Sequence, residues 1–227
     1  MLLHRAFVDL AAGRFSYLDA GSGEDLVLLH ALGRSATDWA KVIERLSDGW
    51  RCVAIDLRGH GQSVWPGRYS FEVMADDIDH FADALGLKHF NLVGHSMGAN
   101  VAWKLAARRP KRIGRLIIED TVPPRTPNSY PIESSEPPEA VDYDWEARRQ
   151  IYSDLSGPSW WTDLETVTCP TLIVAGRRDD DIDSTVDLVP NAELALIEIG
   201  HWIHQQRPDD FTALVAGFLG DRTVTAE

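Results

Sequence analysis

Cysteine is nearly absent. Cys52 and Cys169 are the only two in 227 residues, too few for the disulfide framework that holds a small secreted domain together. Both sit in apolar, strand-like stretches, so buried reduced thiols are expected rather than a disulfide or a redox centre. Positive charge is in deficit: 22 Lys and Arg stand against 35 Asp and Glu, a formal net charge of −13. That sign repels phosphate backbones and anionic bilayers, which argues against nucleic acid and membrane partners. Long apolar runs are missing too. None approaches the roughly 20 residues of a membrane span. Residues 1–9 are interrupted by His4, Arg5 and Asp9, where a signal peptide would have its apolar core. A cytoplasmic location is expected.

What is present is enough apolar residue for one sizeable α/β core, with little left for a second full domain. Strand-like and helical patterns alternate along most of the chain. Residues 4–9 and 14–19 read as a hairpin turning at Ala12-Gly13. Further strands are expected at 25–30, 52–56, 90–93, 113–119, 171–175 and 193–198. Val27-Leu28-Leu29 is continuously apolar, as in a strand buried on both faces. A helix is expected from Thr37 or Asp38, acting as N-cap, to Leu46. A second should span 71–85, where Phe71, Met74, Ile78, Phe81 and Leu85 fall at helical spacing before Gly86. Others are expected at 97–109, 145–155 and 209–219. This alternation predicts an α/β fold, a mostly parallel sheet flanked by helices on both faces.

One stretch breaks the pattern. Residues 121–165 open Pro-, Ser- and Glu-rich, and they read as a short cap inserted between two core segments, 1–120 and 166–227. In open α/β folds such an insertion covers the carboxyl ends of the strands, where ligands bind. Its acids, among them Glu133, Glu136, Glu139, Asp142, Asp144 and Glu146, should favour a neutral small-molecule substrate. Trp145, Trp160 and Trp161, in or beside the cap, are expected to contribute substrate contacts. The sequence leaves the oligomeric state open.

Gly94-His95-Ser96-Met97-Gly98 follows an apolar strand and precedes a helical pattern. This is the nucleophile-elbow arrangement, in which a strained turn presents the serine and the flanking glycines avoid clashes. A serine hydroxyl needs a base, and the base needs an orienting acid. In this fold they follow in the order serine, acid, histidine. His201 lies just after the last expected strand. Asp179 lies three residues beyond Gly176, which ends the preceding one, and is the expected acid. Asp180, Asp181 and Asp183 crowd the same loop, and Asp120, beside Glu119 after an earlier strand, is the alternative. Backbone N–H groups of Met97 and Leu32 are the expected oxyanion donors. His201 and His204 lack a third ligand at suitable spacing, so no metal or other cofactor is expected.

With these motifs the chain resembles the α/β-hydrolase superfamily, specifically its small bacterial esterase-like members. His30-Ala31-Leu32-Gly33 is similar to the family's His-Gly-x-Gly oxyanion loop, with Ala31 in place of glycine. Asp56-Leu57-Arg58-Gly59-His60-Gly61-Gln62-Ser63 is similar to its Asp-x-Arg-Gly-x-Gly-x-Ser loop, and Gly200-His201-Trp202 to the segment around its catalytic histidine. The resemblance implies a serine hydrolase, with a carboxylic ester or a lactone as expected substrate. The same machinery serves C–C bond, thioester and amide hydrolysis and perhydrolysis. A small-molecule receptor that has lost turnover is the reading from another class.

Overall fold

The alternating runs build an eight-stranded sheet in the computed structural model, which describes residues 3–125 and 140–220. The strands are β1 (His4–Leu10), β2 (Gly13–Ala20), β3 (Glu24–Leu29), β4 (Trp50–Ile55), β5 (Phe90–His95), β6 (Ile113–Glu119), β7 (Thr171–Ala175) and β8 (Ala192–Leu196). Their order across the sheet is β1-β2-β4-β3-β5-β6-β7-β8. β2 runs antiparallel to both of its neighbours, and every pairing from β4 to β8 is parallel. The carboxyl ends of β3 to β8 therefore share one edge.

The central strands are apolar at consecutive positions because both faces are covered. In β3, Val27 and Leu29 face one core cluster and Leu26 and Leu28 the other, all with no exposed surface. That alternation is the period-2 rule of a pleated strand. Helices α1 (Ala40–Leu46), α2 (Phe71–Ala84) and α3 (Met97–Arg108) follow β3, β4 and β5. α2 presents Phe71, Met74, Ile78 and Phe81 to the first cluster, and α3 adds Val101 and Leu105. Each such side chain, fully buried, contributes about 1.5–3 kcal/mol. Ser70 starts α2 by accepting the Val73 N–H at 3.2 Å. Later come α4 (Trp145–Leu155), α5 (Asp180–Leu188), α6 (Ile203–Gln206) and α7 (Pro208–Leu219); α1 and α7 cover the second face.

Two local expectations give way. Neither Thr37 nor Asp38 caps α1. Ala36–Trp39 forms a 3-10 turn instead, and the Asp38 carboxylate is taken by Arg34 and Gln205. α5 occupies what reads in sequence as an acidic loop, because acids in a first turn suit the positive end of the helix dipole. α6, a single turn, has too little periodicity to be seen in sequence. Within the inserted stretch, the described part holds α4 and a 3-10 turn at Trp161–Thr166. Residues 126–139, with Glu133, Glu136 and Glu139, lie outside the described residues.

The loop 56–63 is a scaffold. The Asp56 carboxylate accepts the N–H groups of Ala36 (2.7 Å) and Gln62 (3.0 Å), and Arg58 is paired with buried Asp77 through two hydrogen bonds. Both cysteines are buried and free, and burial pushes the Cys52 thiol up to about 12. Among the described residues no helix is long and apolar enough to cross a membrane.

Candidate active site

The turn at Ser96 carries a backbone strain that only surrounding structure can hold. Its φ of 54° and ψ of −115° are sparsely populated for a residue with a side chain, at a cost on the order of 1–3 kcal/mol. The flanking glycines show why the turn can form. A Cβ on Gly94 would lie 2.4 Å from the Gly98 carbonyl oxygen, and one on Gly98 would lie 2.3 Å from that of Leu29. Strand β5, helix α3 and the end of β3 thus meet backbone to backbone, and Ser96 is lifted to the carboxyl edge of the sheet.

His201 stands at the same edge, on the loop between β8 and α6. Its acid partner is Asp120, not the expected Asp179. The His201 Nδ1–H donates to Asp120 Oδ2 at 2.9 Å, and the Gly176 N–H donates to Asp120 Oδ1 at 2.7 Å. Asp179 is the N-cap of α5, accepting the Ile182 N–H at 3.0 Å. The strand pairing explains the exchange: β6 lies between β5 and β7, so the residue that follows it is one strand nearer the elbow than the turn after β7. That turn contributes the Gly176 N–H in place of a carboxylate. Asp120 takes a positive φ of 49°, a conformation that Asp tolerates better than most residues. Burial pushes its carboxyl up, but the bonds from His201 and Gly176 outweigh it and hold the group below its ordinary value. An acceptor at Nδ1 fixes the tautomer that leaves Nε2 free to take a proton.

A second histidine holds the loop. His95, the residue before Ser96, donates its Nε2–H to the His201 carbonyl at 2.8 Å. Burial pushes the His95 imidazole down to about 4, so it stays neutral and keeps that donor.

The expected oxyanion donors are placed by local geometry. Met97 is the first residue of α3, and first-turn N–H groups have no acceptor within their own helix. At Leu32 the preceding carbonyl sets the direction. Ala31 C=O accepts from the His30 Nδ1–H at 2.8 Å and the Arg34 N–H at 3.1 Å. In a trans peptide the C=O and the next N–H point opposite ways, so the Leu32 N–H is turned away from those donors. His30 also accepts the Leu57 N–H at its Nε2, 2.9 Å. It is a loop brace, as its buried position implies.

Ser96, Met97, Leu32 and His201 line one cavity of about 430 Å³ with Phe71, Ile151, Tyr152, Leu155 and Trp202. Trp145, Trp160 and Trp161, expected there, are not among its lining residues. The phase of α4 turns Arg148, Ile151, Tyr152 and Leu155 toward the cavity and leaves Trp145 one turn away, with Arg148 5.4 Å over its ring. Trp160 and Trp161 pack against the core, with Lys104 4.3 Å over Trp160. Trp202, next to the catalytic-type histidine, is the aromatic that sequence reasoning passed over.

Asp38, His95 and His204 bring donor atoms within 4.8 Å of one another, the donor types of a metal site. Charge argues for a different use. Asp38 and the adjoining Glu119 are already balanced by Arg34 and His204, so these side chains are read as an ion cluster and not as metal ligands.

A family model described as alpha/beta hydrolase fold matches residues 26–156. The chain is 28% identical to the sn-1-specific diacylglycerol lipase ABHD11 of Mus musculus, over 86% of this chain and 80% of that protein. It is 26% identical to the 2-hydroxymuconate semialdehyde hydrolase of Pseudomonas sp. (strain CF600), over 96% and 94%. Among solved structures, an E-2-(acetamidomethylene)succinate hydrolase superposes with a TM-score of 0.84 at 21% identity, covering 96% of this chain and 99% of that one.

Proposed function

Because the chain belongs to the α/β-hydrolase family, an enzyme family of hydrolases, we propose that it is a serine hydrolase acting on a small or medium carboxylic ester through an acyl-enzyme on Ser96. His201 Nε2 takes the Ser96 proton as Oγ attacks the carbonyl carbon. The resulting oxyanion is held by the Met97 and Leu32 N–H groups. Collapse breaks the bond to the alcohol, which leaves with the proton from His201. Water then attacks the acyl-enzyme by the same route and releases the acid. Asp120 holds the His201 tautomer and stabilises the imidazolium while it exists. The observation that carries this reading is the 2.9 Å bond from His201 to Asp120 at the rim of the cavity that Ser96 enters.

The direct test is fluorophosphonate labelling followed by mass mapping, with a panel of p-nitrophenyl esters of increasing acyl length and a lactone beside it. Adduct at Ser96 with ester turnover is the expected result. A protein that takes no adduct is a receptor on this fold, and one that labels but spares every ester works on another acyl bond.

Arg148 favours a second reading of the substrate. Among the described residues that line the cavity it is the one Lys or Arg, seated 4.5 Å over the Tyr152 ring. A guanidinium in a mostly apolar cavity suits a substrate whose acyl part carries a carboxylate, contrary to the neutral one suggested by the acids of the inserted stretch. Two of the similar proteins are named for molecules of that class, and the lipase for a neutral ester. Hydrogen bonds to charged groups contribute about 1.5–3 kcal/mol. Arg148→Gln should therefore raise KM for p-nitrophenyl hemisuccinate at least about tenfold and leave p-nitrophenyl butyrate unaffected. Equal changes for both esters would return the substrate to the neutral class.

A further inference from the structure

Behind His201 stands a second carboxylate–imidazole pair that the proposed reaction does not use. β6 leads into Glu119-Asp120, and the loop after β8 carries His201 and His204. Asp120 takes the half-exposed ring. Glu119 takes the buried one, through both carboxylate oxygens: Oε2 accepts the His204 Nδ1–H at 2.6 Å, and Oε1 accepts the His204 backbone N–H at 2.9 Å. The far nitrogen of His204, Nε2, faces Asp38 Oδ2 at 3.5 Å. Asp38 in turn is held by Arg34 at 2.6 Å and by Gln205. Trp39 stacks on the His204 ring with centroids 4.1 Å apart, and Phe211 lies on it at 6.0 Å.

Glu119 is fully buried and the His204 side chain is 1% exposed. Buried charges are costly unless paired, and the pairing here balances only if His204 carries a proton, with Arg34 against the second carboxylate. The groups facing His204 are Asp38 and Arg34 beyond it, Glu119 from β6, and neutral His95 from β5, with His201 and Asp120 on the far side of His95. Burial pushes the His204 imidazole down, but its hydrogen bond to Glu119 and the facing Asp38 carboxylate outweigh that and raise it to about 9. Burial likewise pushes Asp38 up, and the facing His204 together with the bond from Arg34 brings it to about 2.

The loop that carries His201 is thus tied at two points, by His95 at the His201 carbonyl and by Glu119 at His204. We propose that His204 is a strut, protonated at neutral pH and clamped between Glu119 and Asp38, that positions the His201 loop for proton transfer. Glu119, His204 and Asp38 are then positioning residues, acting through His201 and never touching substrate. The inference rests on His201 being the base of the proposed reaction. Misplacement of a reacting group by about 1 Å costs on the order of 10²-fold, which sets the size of the effect.

Because the folded value lies above the ordinary 6.5 of histidine, the strut is intact at neutral pH and is lost as pH rises through about 9. The labelling rate of wild type with a fluorophosphonate should fall through that range. His204→Gln should lower the rate on the order of 10²-fold, with no limb near pH 9 and little change in KM for any cleaved ester. Glu119→Gln should shift the limb to lower pH, and it serves as the test should His204→Gln fail to fold. Imidazole ¹⁵N resonances of wild type supply a readout free of turnover: the His204 ring should hold both protons up to about pH 9. A ring that titrates at or below 6.5 would overturn the proposal, as would a folded His204→Gln protein with wild-type rate and limb. Absence of labelling in wild type defeats the hydrolase reading instead. In that case the His201 Nδ1 proton resonance decides the strut, since it should move on His204→Gln and its constancy refutes the coupling.

Discussion

Ser96→Ala is expected to abolish fluorophosphonate labelling and to lower kcat on the order of 10⁶-fold, the loss seen when the nucleophile of a serine triad is removed. The change takes away one oxygen at the mouth of the cavity and leaves the turn as strained as before, since alanine also has a Cβ at φ 54°. Melting temperature should therefore stay close to that of wild type. Ser96→Gly separates strain from chemistry: it should be equally inactive and more stable, by on the order of 1–3 kcal/mol, because glycine adopts this conformation freely. A Ser96→Ala protein that still forms the adduct would remove the mechanism altogether.

The second large effect distinguishes two aspartates. Asp120→Asn should lower kcat on the order of 10⁴-fold, since an amide at this position supports the wrong tautomer of His201. Asp179→Asn should leave kcat within about twofold and stability nearly unchanged, because asparagine caps a helix as well as aspartate does. Steady-state kinetics on one cleaved ester settles the point. Comparable losses from both variants, or the reverse ranking, would return the acid to the turn after β7.

Why the turn at Ser96 is legible in sequence and the carboxylate that His201 bonds is not follows from how each is specified. The elbow is local: two glycines, a serine between them, an apolar strand before and a helix after leave few other conformations. The limits of strands β6 and β7 and of helix α4 are legible for the same reason. Asp120 depends on which strands are neighbours and on a carboxylate crossing from β6 toward the loop after β8. Asp179 offered the more regular spacing, a glycine-ended strand followed by an acid, and the same pattern serves equally well to start a helix. The tryptophans of the inserted stretch lie outside the cavity lining for another reason. Helical phase decides which side chain of α4 faces the cavity, and it selects Arg148 and Tyr152 over Trp145. Glu119 and His204 carried one faint signal: acids adjacent in one segment and histidines three apart in another can pair two by two.

The bond from His201 to Asp120 joins residues 81 positions apart, and Gly176 lies on a third segment between them. None of the three can take its place until β6, β7 and β8 have paired in register, and a one-residue slip of β6 would put Glu119 where Asp120 belongs. Pairings this distant in sequence form late, because loop closure comes before their reward. During refolding, reactivity at Ser96 should therefore lag behind the burial of Trp39 and Trp103, reporting the moment at which the last strands lock onto a core already formed.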